Sequence, residues 1–231
     1  MKYFCRVKYN GSAYAGFQVQ PDSRTVQSEI SRAAETVFGC RCKITGCSRT
    51  DAGVHALDFC LTLEPEDGVL RVPPEKLGVA MKQVLPPDIA FFDTFLVHDG
   101  FHPRYDVIKK EYSYLIYQNA VLDPFLAGRA WHMPRPFAED AVSRMQAAGN
   151  ELLGSHDFSA FRAEGSDTVS PVRTVYSFSV TKTDSLYTLK IAADGFLYHM
   201  VRIIAGTITD VASGRYAPDE ISRTLASRAR S

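Results

Sequence analysis

The chain has no long apolar run and no excess charge of either sign, and each absence excludes a class of protein. No segment approaches the roughly 18 consecutive apolar residues of a membrane-spanning helix, and the N-terminus enters an alternating strand pattern instead of an apolar signal segment. We therefore expect a cytoplasmic protein that has no membrane partner. The 26 Lys and Arg residues balance 26 Asp and Glu residues, which argues against a protein that coats nucleic acid indiscriminately.

Cysteine is scarce, and its spacing gives no sign of a disulfide framework. Five cysteines in 231 residues are an odd number at irregular intervals, so we expect reduced thiols. Cys40, Cys42, Cys47 and His55 can be drawn as a zinc site, but the paired C-x2-C or H-x3-H spacing of structural zinc is missing. The sequence therefore predicts no metal site.

The first half of the chain alternates strand and helix patterns. Residues 2–9 place Tyr3, Cys5 and Val7 on one side and charged residues on the other, which is typical of a half-buried strand. Thr25 is a candidate cap for a helix over 26–38 that ends at Gly39. Further strands are predicted at 43–45, 54–63 and 89–97, and a further helix at 73–85.

The second half repeats this style. Strands are predicted at 110–117, 175–180 and 186–193, and helices at 137–153, 198–211 and 218–229. The pattern indicates an α+β protein with two similar halves, 1–105 and 106–231. We expect their antiparallel sheets to merge into one central sheet with helices packed on one face and an active-site cleft between the halves.

Chemistry-bearing residues are densest in the loop Gly46–His55, which combines a cation, a carboxylate, a hydroxyl and small residues between two strands. Taken alone, this loop is more typical of a turn in which Asp51 binds its own backbone and Gly53 supplies an unusual φ. Three other segments combine aromatic and basic or histidine residues. They are 101–114, 156–174 and 196–202.

Together these segments resemble the tRNA pseudouridine synthase family of the TruA type, over nearly the whole chain. The most specific element is Arg49–His55, which looks like the catalytic loop of that family. It is supported in order by Gly11–Gln18, Phe101-His102 with Arg104, Phe158–Arg162 and His199–Arg202. The resemblance implies that Asp51 is the catalytic aspartate, Arg49 assists base flipping, Tyr112 lies against the target uracil, and Arg202 is the charge partner of Asp51.

The resemblance also implies the reaction and the partners. The family isomerises uridine to pseudouridine in the anticodon stem-loop of tRNA, acts as a homodimer, and needs no cofactor and no metal. The implied substrate and RNA contacts are Tyr112, Phe17, Gln18, Arg24, His55, Phe101, His102, Arg104, Tyr105, Lys110, Phe161 and Arg162. The fold implied is that of the pseudouridine synthases.

The chemistry can be rebuilt from these residue types. The N-glycosidic bond breaks, the uracil rotates, and the sugar rejoins the base through C5, so the base must first be extruded from its stack. An ionised Asp51 either attacks C1′ or removes a 2′ proton to give a glycal-type intermediate, and the sequence leaves both routes open. The C5 proton then passes to the phenol of Tyr112 or to a water that it positions.

Two other functions compete with this one. The first is a non-catalytic tRNA-binding protein on a pseudouridine synthase fold, and the second is a hydrolase in which Cys47 and His55 act as nucleophile and base. One departure from the family favours the first. The family continues past the position of Arg228 into a final apolar strand that lines the uracil pocket, and we expect that strand to be missing from this chain.

Overall fold

The computed structural model describes residues 1–165 and 169–228. Its internal contacts divide the chain into two compact units, Met1–Val107 and Ile108–Ser231. Within the described residues, no helix combines the length and the apolar character needed to cross a membrane. Each unit has its own hydrophobic core, and the two are described in turn.

The first unit is a four-stranded sheet covered by two helices. Its elements are β1 (Lys2–Tyr9), α1 (Val26–Phe38), β2 (Cys42–Gly46), β3 (Ala56–Pro65), α2 (Pro74–Lys82) and β4 (Ile89–Val97). The strand order is β2-β3-β1-β4 and every neighbouring pair is antiparallel. The alternation predicted for β1 is confirmed, because Tyr3, Cys5 and Val7 are fully buried and pack in one cluster with Ile30 and Leu77 of the two helices.

Helix α1 has the bounds that the sequence predicts. The Thr25 hydroxyl accepts from the backbone N–H of Ser28 at 3.2 Å, and the Ser28 hydroxyl oxygen accepts in return from the N–H of Thr25 at 3.1 Å. This reciprocal capping box satisfies two donors that a helix start otherwise leaves unbonded. At the other end Gly39 takes the left-handed conformation that ends many helices.

The second unit is a five-stranded sheet with three helices. Its elements are β5 (Lys110–Gln118), β6 (Trp131–Met133), α3 (Ala141–Asn150), β7 (Gly154–Asp157), β8 (Val172–Thr183), β9 (Leu186–Ala193), α4 (Met200–Ala212) and α5 (Glu220–Ser227). The strand order is β6-β5-β9-β8-β7. The apolar faces of α3 and α4, including Met145, Ile204 and Ile208, bury themselves with Leu189 and Ile191 of β9 in one cluster.

The structure corrects several sequence predictions in this unit. The sheet is mixed, because β6 returns from a loop and pairs with β5 in parallel. Helix α3 begins at Ala141, whereas Phe137 packs edge-on against Tyr187 with ring centroids 5.2 Å apart. The short strands β6 and β7 were not predicted. The helix predicted at 218–229 is observed as α5, and Ala229 lies outside the described residues.

The α+β class is confirmed. Within the described residues the hydrogen-bonded ladders form two sheets, one in each unit. The merger of these sheets into one and the cleft between the halves therefore stay predictions.

Candidate active site

The loop that joins β2 to β3, residues 47–55, has a fixed backbone. At its entry the Cys47 N–H donates to the Cys60 carbonyl at 2.8 Å, and at its tip the Val54 N–H donates to the Asp51 carbonyl at 3.2 Å. Gly53, the third residue of that four-residue turn, has φ of +77°. A positive φ at this position is the requirement of a type II turn, and glycine meets it without steric cost. The catalytic aspartate implied by the sequence is thus the first residue of a tight turn.

The segment Gly11–Phe17 lies against this loop and holds it through the backbone. The Phe17 N–H donates to the Thr50 carbonyl at 3.1 Å, and the Gly53 N–H donates to the Tyr14 carbonyl at 3.2 Å. Gly16, with φ of +98°, comes so close that a Cβ there would stand 2.6 Å from the Thr50 oxygen. Only a residue without a side chain fits this approach.

Two side chains complete the frame. The Tyr9 and Thr50 hydroxyls are 2.9 Å apart and share a hydrogen bond. The Nδ1 atom of His55 accepts from the Gly11 N–H at 3.2 Å, so the neutral ring carries its proton on Nε2. Asp51 itself is half-buried, and the backbone groups around it are bonded to fixed partners. Its carboxylate is therefore presented from a preorganised loop.

The segment Gly11–Phe17 is itself anchored. The Tyr14 hydroxyl donates to the Asp88 carboxylate just before β4. The Arg24 guanidinium lies over the Tyr14 ring at 4.7 Å and pairs with the buried Glu29 at 2.9 Å. Burial, the hydrogen bond to Asp88 and the charge of Asp88 all raise the pKa of Tyr14. Arg24 thus stabilises the frame, and its predicted contact with RNA stays a prediction.

A cavity of about 200 Å³ opens beside Arg49. It brings together six of the residues implied by the sequence, from three separate segments of the chain. They are Phe17, Gln18, Arg49, His102, Arg104 and Tyr105. Two cations and three aromatic rings at one small cavity match the chemistry of a nucleotide, which offers a phosphate and a flat base.

The rim residues 102–106 form a compact turn. The Asp106 carboxylate accepts from the His102 N–H at 2.6 Å, and the His102 Nδ1 atom accepts from the Arg104 N–H at 3.2 Å. The His102 and Tyr105 rings lie 4.3 Å apart at 32°. Tyr105 is 76% exposed, so its ring is held by the histidine and remains open to a ligand.

Several other implied residues belong to the second unit. Tyr112, on β5, is half-buried and meets Phe196 edge-on at 4.9 Å. Arg202 is exposed in the first turn of α4 and lines a cavity of about 510 Å³ with His199, Asp210 and Tyr216. The charge of Arg202 lowers the pKa of Tyr114, against the larger effect of burial, which raises it. Lys110 and Arg162 are half-buried.

Comparisons with known proteins identify the family. A family model described as tRNA pseudouridine synthase matches residues 148–231. A tRNA pseudouridine synthase A of Thermoanaerobacter sp. strain X514 is 38% identical over 224 residues, which cover 97% of this chain and 89% of that protein. Its counterpart in Listeria monocytogenes serotype 4a is 39% identical over 232 residues, covering 99% and 91%. The chain belongs to the tRNA pseudouridine synthase family.

This membership confirms the resemblance and the predicted enzyme class, an isomerase. A third relative, from Bacillus velezensis, is 36% identical over 232 residues, which cover 100% of this chain and 92% of the relative. The similarity thus extends over the loop 47–55 of the first unit as well as over the C-terminal region that the family model matches.

The structure corrects the implied role of some aromatic residues in this synthase. Phe161 is fully buried with Phe158 in the core of the second unit, so its side chain is not a surface contact for RNA. Phe17 is only 3% exposed and packs on Phe59 at 4.4 Å, which makes it a wall of the cavity and not a stacking platform. Phe101 is half-buried against Phe4 at 5.5 Å.

Sequence reasoning also missed residues that shape the synthase loop. Tyr14 and Asp88 received no role, although their hydrogen bond anchors the segment that holds Gly53. The sequence signal that could have revealed Tyr14 is a tyrosine inside a glycine-rich stretch.

The α4 helix begins at Met200 instead of 198. His199 has φ of +58°, which is outside the right-handed helical region, so the helix cannot include it. Within the described residues no group of three or more His, Cys, Asp or Glu is arranged to hold a metal.

Proposed function

We propose that this chain isomerises uridine to pseudouridine in tRNA, at sites in the anticodon stem-loop, through Asp51. The observation that carries the proposal is the rigid loop 49–55, which presents a half-buried Asp51 two residues after Arg49 in a member of this family. Such rigidity suits a group that must meet C1′ or the 2′ position of a ribose at a defined distance, since small misplacements lower rates steeply.

The cavity beside Arg49 supports a role in extruding the base. A uridine inside a stem-loop must be unstacked before its glycosidic bond can be reached. Arg49 occupies or stabilises the space that the base leaves, while Arg104 binds a neighbouring phosphate and Tyr105 offers a ring for stacking. The three side chains line one cavity, so they act on adjacent nucleotides.

Tyr112 and Arg202 complete the proposed chemistry. Tyr112 holds the detached uracil and receives the C5 proton directly or through a water. Arg202 is the charge partner of the Asp51 carboxylate in this proposal. The covalent C1′ route and the glycal route use the same residues. The isomerisation involves no redox change and adds no group, so the proposed reaction uses no cofactor.

The proposed partners are tRNA and a second copy of the chain. Structured RNA is recognised mainly through shape and phosphate contacts, for which Lys110 and Arg162 are further candidates. The proposed location is the cytoplasm.

The test is tritium release from unmodified tRNA labelled at C5 of uracil, followed by mapping of the product. Release localised to the anticodon stem-loop supports the proposal. Release from other regions contradicts the proposed site. A folded chain that binds tRNA and releases no tritium favours the alternative of a binding protein on the synthase fold.

A further inference from the structure

Glu29 is a buried carboxylate in the first turn of helix α1, and two arginines bind it. Its side chain is only 7% exposed. One of its oxygens accepts from the Arg24 Nε–H at 2.9 Å, and the other pairs with the exposed Arg32. A carboxylate that is removed from water is costly unless charged partners bind it. Glu29 therefore depends on these two arginines, and they are held in place by it.

Arg24 links this carboxylate to the segment that holds the active-site loop. Its guanidinium binds Glu29 and also lies 4.7 Å from the centre of the Tyr14 ring. A guanidinium is attracted to the face of an aromatic ring, and the bond to Glu29 fixes it in the position from which it covers this ring. The Arg24 carbonyl in turn accepts from the Ala15 N–H at 2.9 Å. Arg24 is thus held against residues 14 and 15 by its side chain and by its backbone.

Tyr14 carries this constraint to the loop. Its hydroxyl donates to the Asp88 carboxylate, and its carbonyl accepts from the Gly53 N–H at 3.2 Å. Gly53 is the third residue of the tight turn that begins at Asp51. A shift of the Tyr14 backbone therefore moves the turn that presents the Asp51 carboxylate.

We propose that Glu29 is a positioning residue for the isomerisation, which acts through Arg24 and Tyr14. It keeps the Tyr14 carbonyl against the Gly53 N–H, and so keeps the turn of Asp51 in place. This inference rests on the proposed function, because it gives Glu29 a part in the turnover of tRNA. It also makes the frame, and not RNA, the main partner of Arg24.

The first test is single-turnover tritium release, with the protein in excess over tRNA labelled at C5 of uracil. At saturating protein the rate constant reports the bound complex, whereas unfolded molecules only lower the effective protein concentration. Glu29→Ala should lower this rate constant by about 10- to 100-fold, since small misplacements of a reacting group are costly. The half-saturating concentration should stay within about twofold, because the phosphate contacts are kept.

Glu35→Ala is the matched control. Glu35 is an exposed carboxylate on the same helix, so its removal takes away the same charge without touching Arg24. It should react like the wild type. Glu29→Gln is the conservative variant, because its amide oxygen can still accept from Arg24, and it should recover most of the rate that Glu29→Ala loses. An unchanged rate constant in Glu29→Ala would overturn the proposal.

Arg24→Ala breaks the same link from its other end. Arg24 is 46% exposed, so this variant leaves no buried gap and should fold even if Glu29→Ala does not. It should show the same loss of rate, and the double variant should be no slower than the slower single variant, since the two residues act in series. A raised half-saturating concentration at an unchanged rate constant would make Arg24 an RNA contact and refute the proposal. Independent, multiplying losses would refute it as well.

The second test needs no turnover. Amide hydrogen exchange of the ¹⁵N-labelled protein, followed by NMR, measures the protection of the Gly53 N–H. Exchange of this amide should become about tenfold faster or more in Glu29→Ala and in Arg24→Ala. Amides of β1, which lies between two other strands of its sheet, should change less.

Equal acceleration in β1 and at Gly53 would show a general loss of stability, and unchanged exchange at Gly53 would show that Glu29 does not hold the turn. Either result overturns the proposal. The two proposals also fail separately. A wild-type protein that releases no tritium contradicts the proposed function, whereas exchange at Gly53 still decides whether Glu29 positions the loop.

Discussion

Gly16 lies so close to the Thr50 carbonyl that a methyl group at residue 16 would stand 2.6 Å from its oxygen. The contact is backbone to backbone, so no side chain can move aside to relieve it. Thr50 immediately precedes Asp51, and its carbonyl also accepts from the Phe17 N–H. The position of the proposed catalytic loop therefore depends on the absence of a side chain at residue 16, which lies 34 positions before Thr50 on a different loop.

Gly16→Ala should lower both stability and activity. The substitution combines a left-handed backbone, which costs a non-glycine residue about 1–2 kcal/mol, with a clash that costs about 1–3 kcal/mol if it is relieved by moving the backbone. Urea unfolding measures the loss of stability, and tritium release from tRNA measures the loss of activity. We expect a loss of activity in molecules that are still folded, since the loop shifts.

Gly39→Ala is the matched control for this variant. Gly39 also has a positive φ, +68°, but a Cβ there meets nothing within 4 Å. It should therefore show only the backbone cost, about 1 kcal/mol, with normal turnover. Equal effects of the two variants would show that the contact with Thr50 is unimportant.

Tyr14→Phe should destabilise the first unit by about 1–2 kcal/mol, because it removes a hydrogen bond to a carboxylate. Burial first, and then the bond to Asp88, raise the pKa of folded Tyr14 above its ordinary value of 10.0. A raised pKa means that this contribution is complete below about pH 10 and is lost as the pH rises toward the folded value. Urea unfolding of both proteins at several pH values tests this.

The difference in unfolding free energy between the wild type and Tyr14→Phe should be constant from about pH 7 to 9 and should shrink above about pH 10. Tyr176→Phe is the control, since Tyr176 is 50% exposed on β8. A difference that persists undiminished at high pH would contradict the assignment of the raised pKa to Tyr14.

Local sequence signals predicted the elements that depend on periodicity and caps. Helix α1 was predicted with its bounds because Thr25 and Gly39 mark its ends, and the strands of the β8–β9 hairpin were predicted from their alternation. The three-residue strand β6 is too short to show a period, and its parallel pairing with β5 is a tertiary property. A single sequence does not reveal such pairing.

The candidate site likewise combines residues that the sequence predicted with contacts that it could not predict. The motif located Asp51, Arg49 and the rim residues, because chemistry-bearing types cluster in the sequence. The sequence does not show which side chains are buried, so Phe161 was predicted to contact RNA although it is part of a core. The hydrogen bond between Tyr14 and Asp88 joins residues 74 positions apart, and no local pattern indicates it.

Asp51→Asn should abolish isomerisation while the fold and tRNA affinity are kept. The side chain keeps its size and loses the charge that either proposed route requires, so turnover should fall by about 10³-fold or more. Affinity rests on many phosphate contacts, so the Kd should change by less than about threefold. Tritium release and filter binding on the same preparations measure the two quantities.

Asp184→Asn is the matched control for the loss of charge. Asp184 lies in the exposed turn between β8 and β9 with φ of +51°, a conformation that asparagine also accepts. It should isomerise tRNA like the wild type. If Asp51→Asn isomerises tRNA as fast as this control, Asp51 is not part of the mechanism. If Asp51→Asn instead loses tRNA binding, the residue serves recognition.

Arg104→Ala should weaken tRNA binding and reduce its dependence on salt. Arg104 lines the cavity beside Arg49, so we expect it to neutralise one phosphate. Removing one such contact lowers the slope of log K against log salt concentration by about 1.

Arg32→Ala is the control, because Arg32 is 72% exposed on α1 and pairs with Glu29. Its slope should remain that of the wild type. Binding isotherms from low to physiological ionic strength give both slopes. A slope that falls equally in both variants would mean that tRNA responds to the overall charge of the protein, whereas a fall confined to Arg104→Ala places a phosphate at the cavity rim.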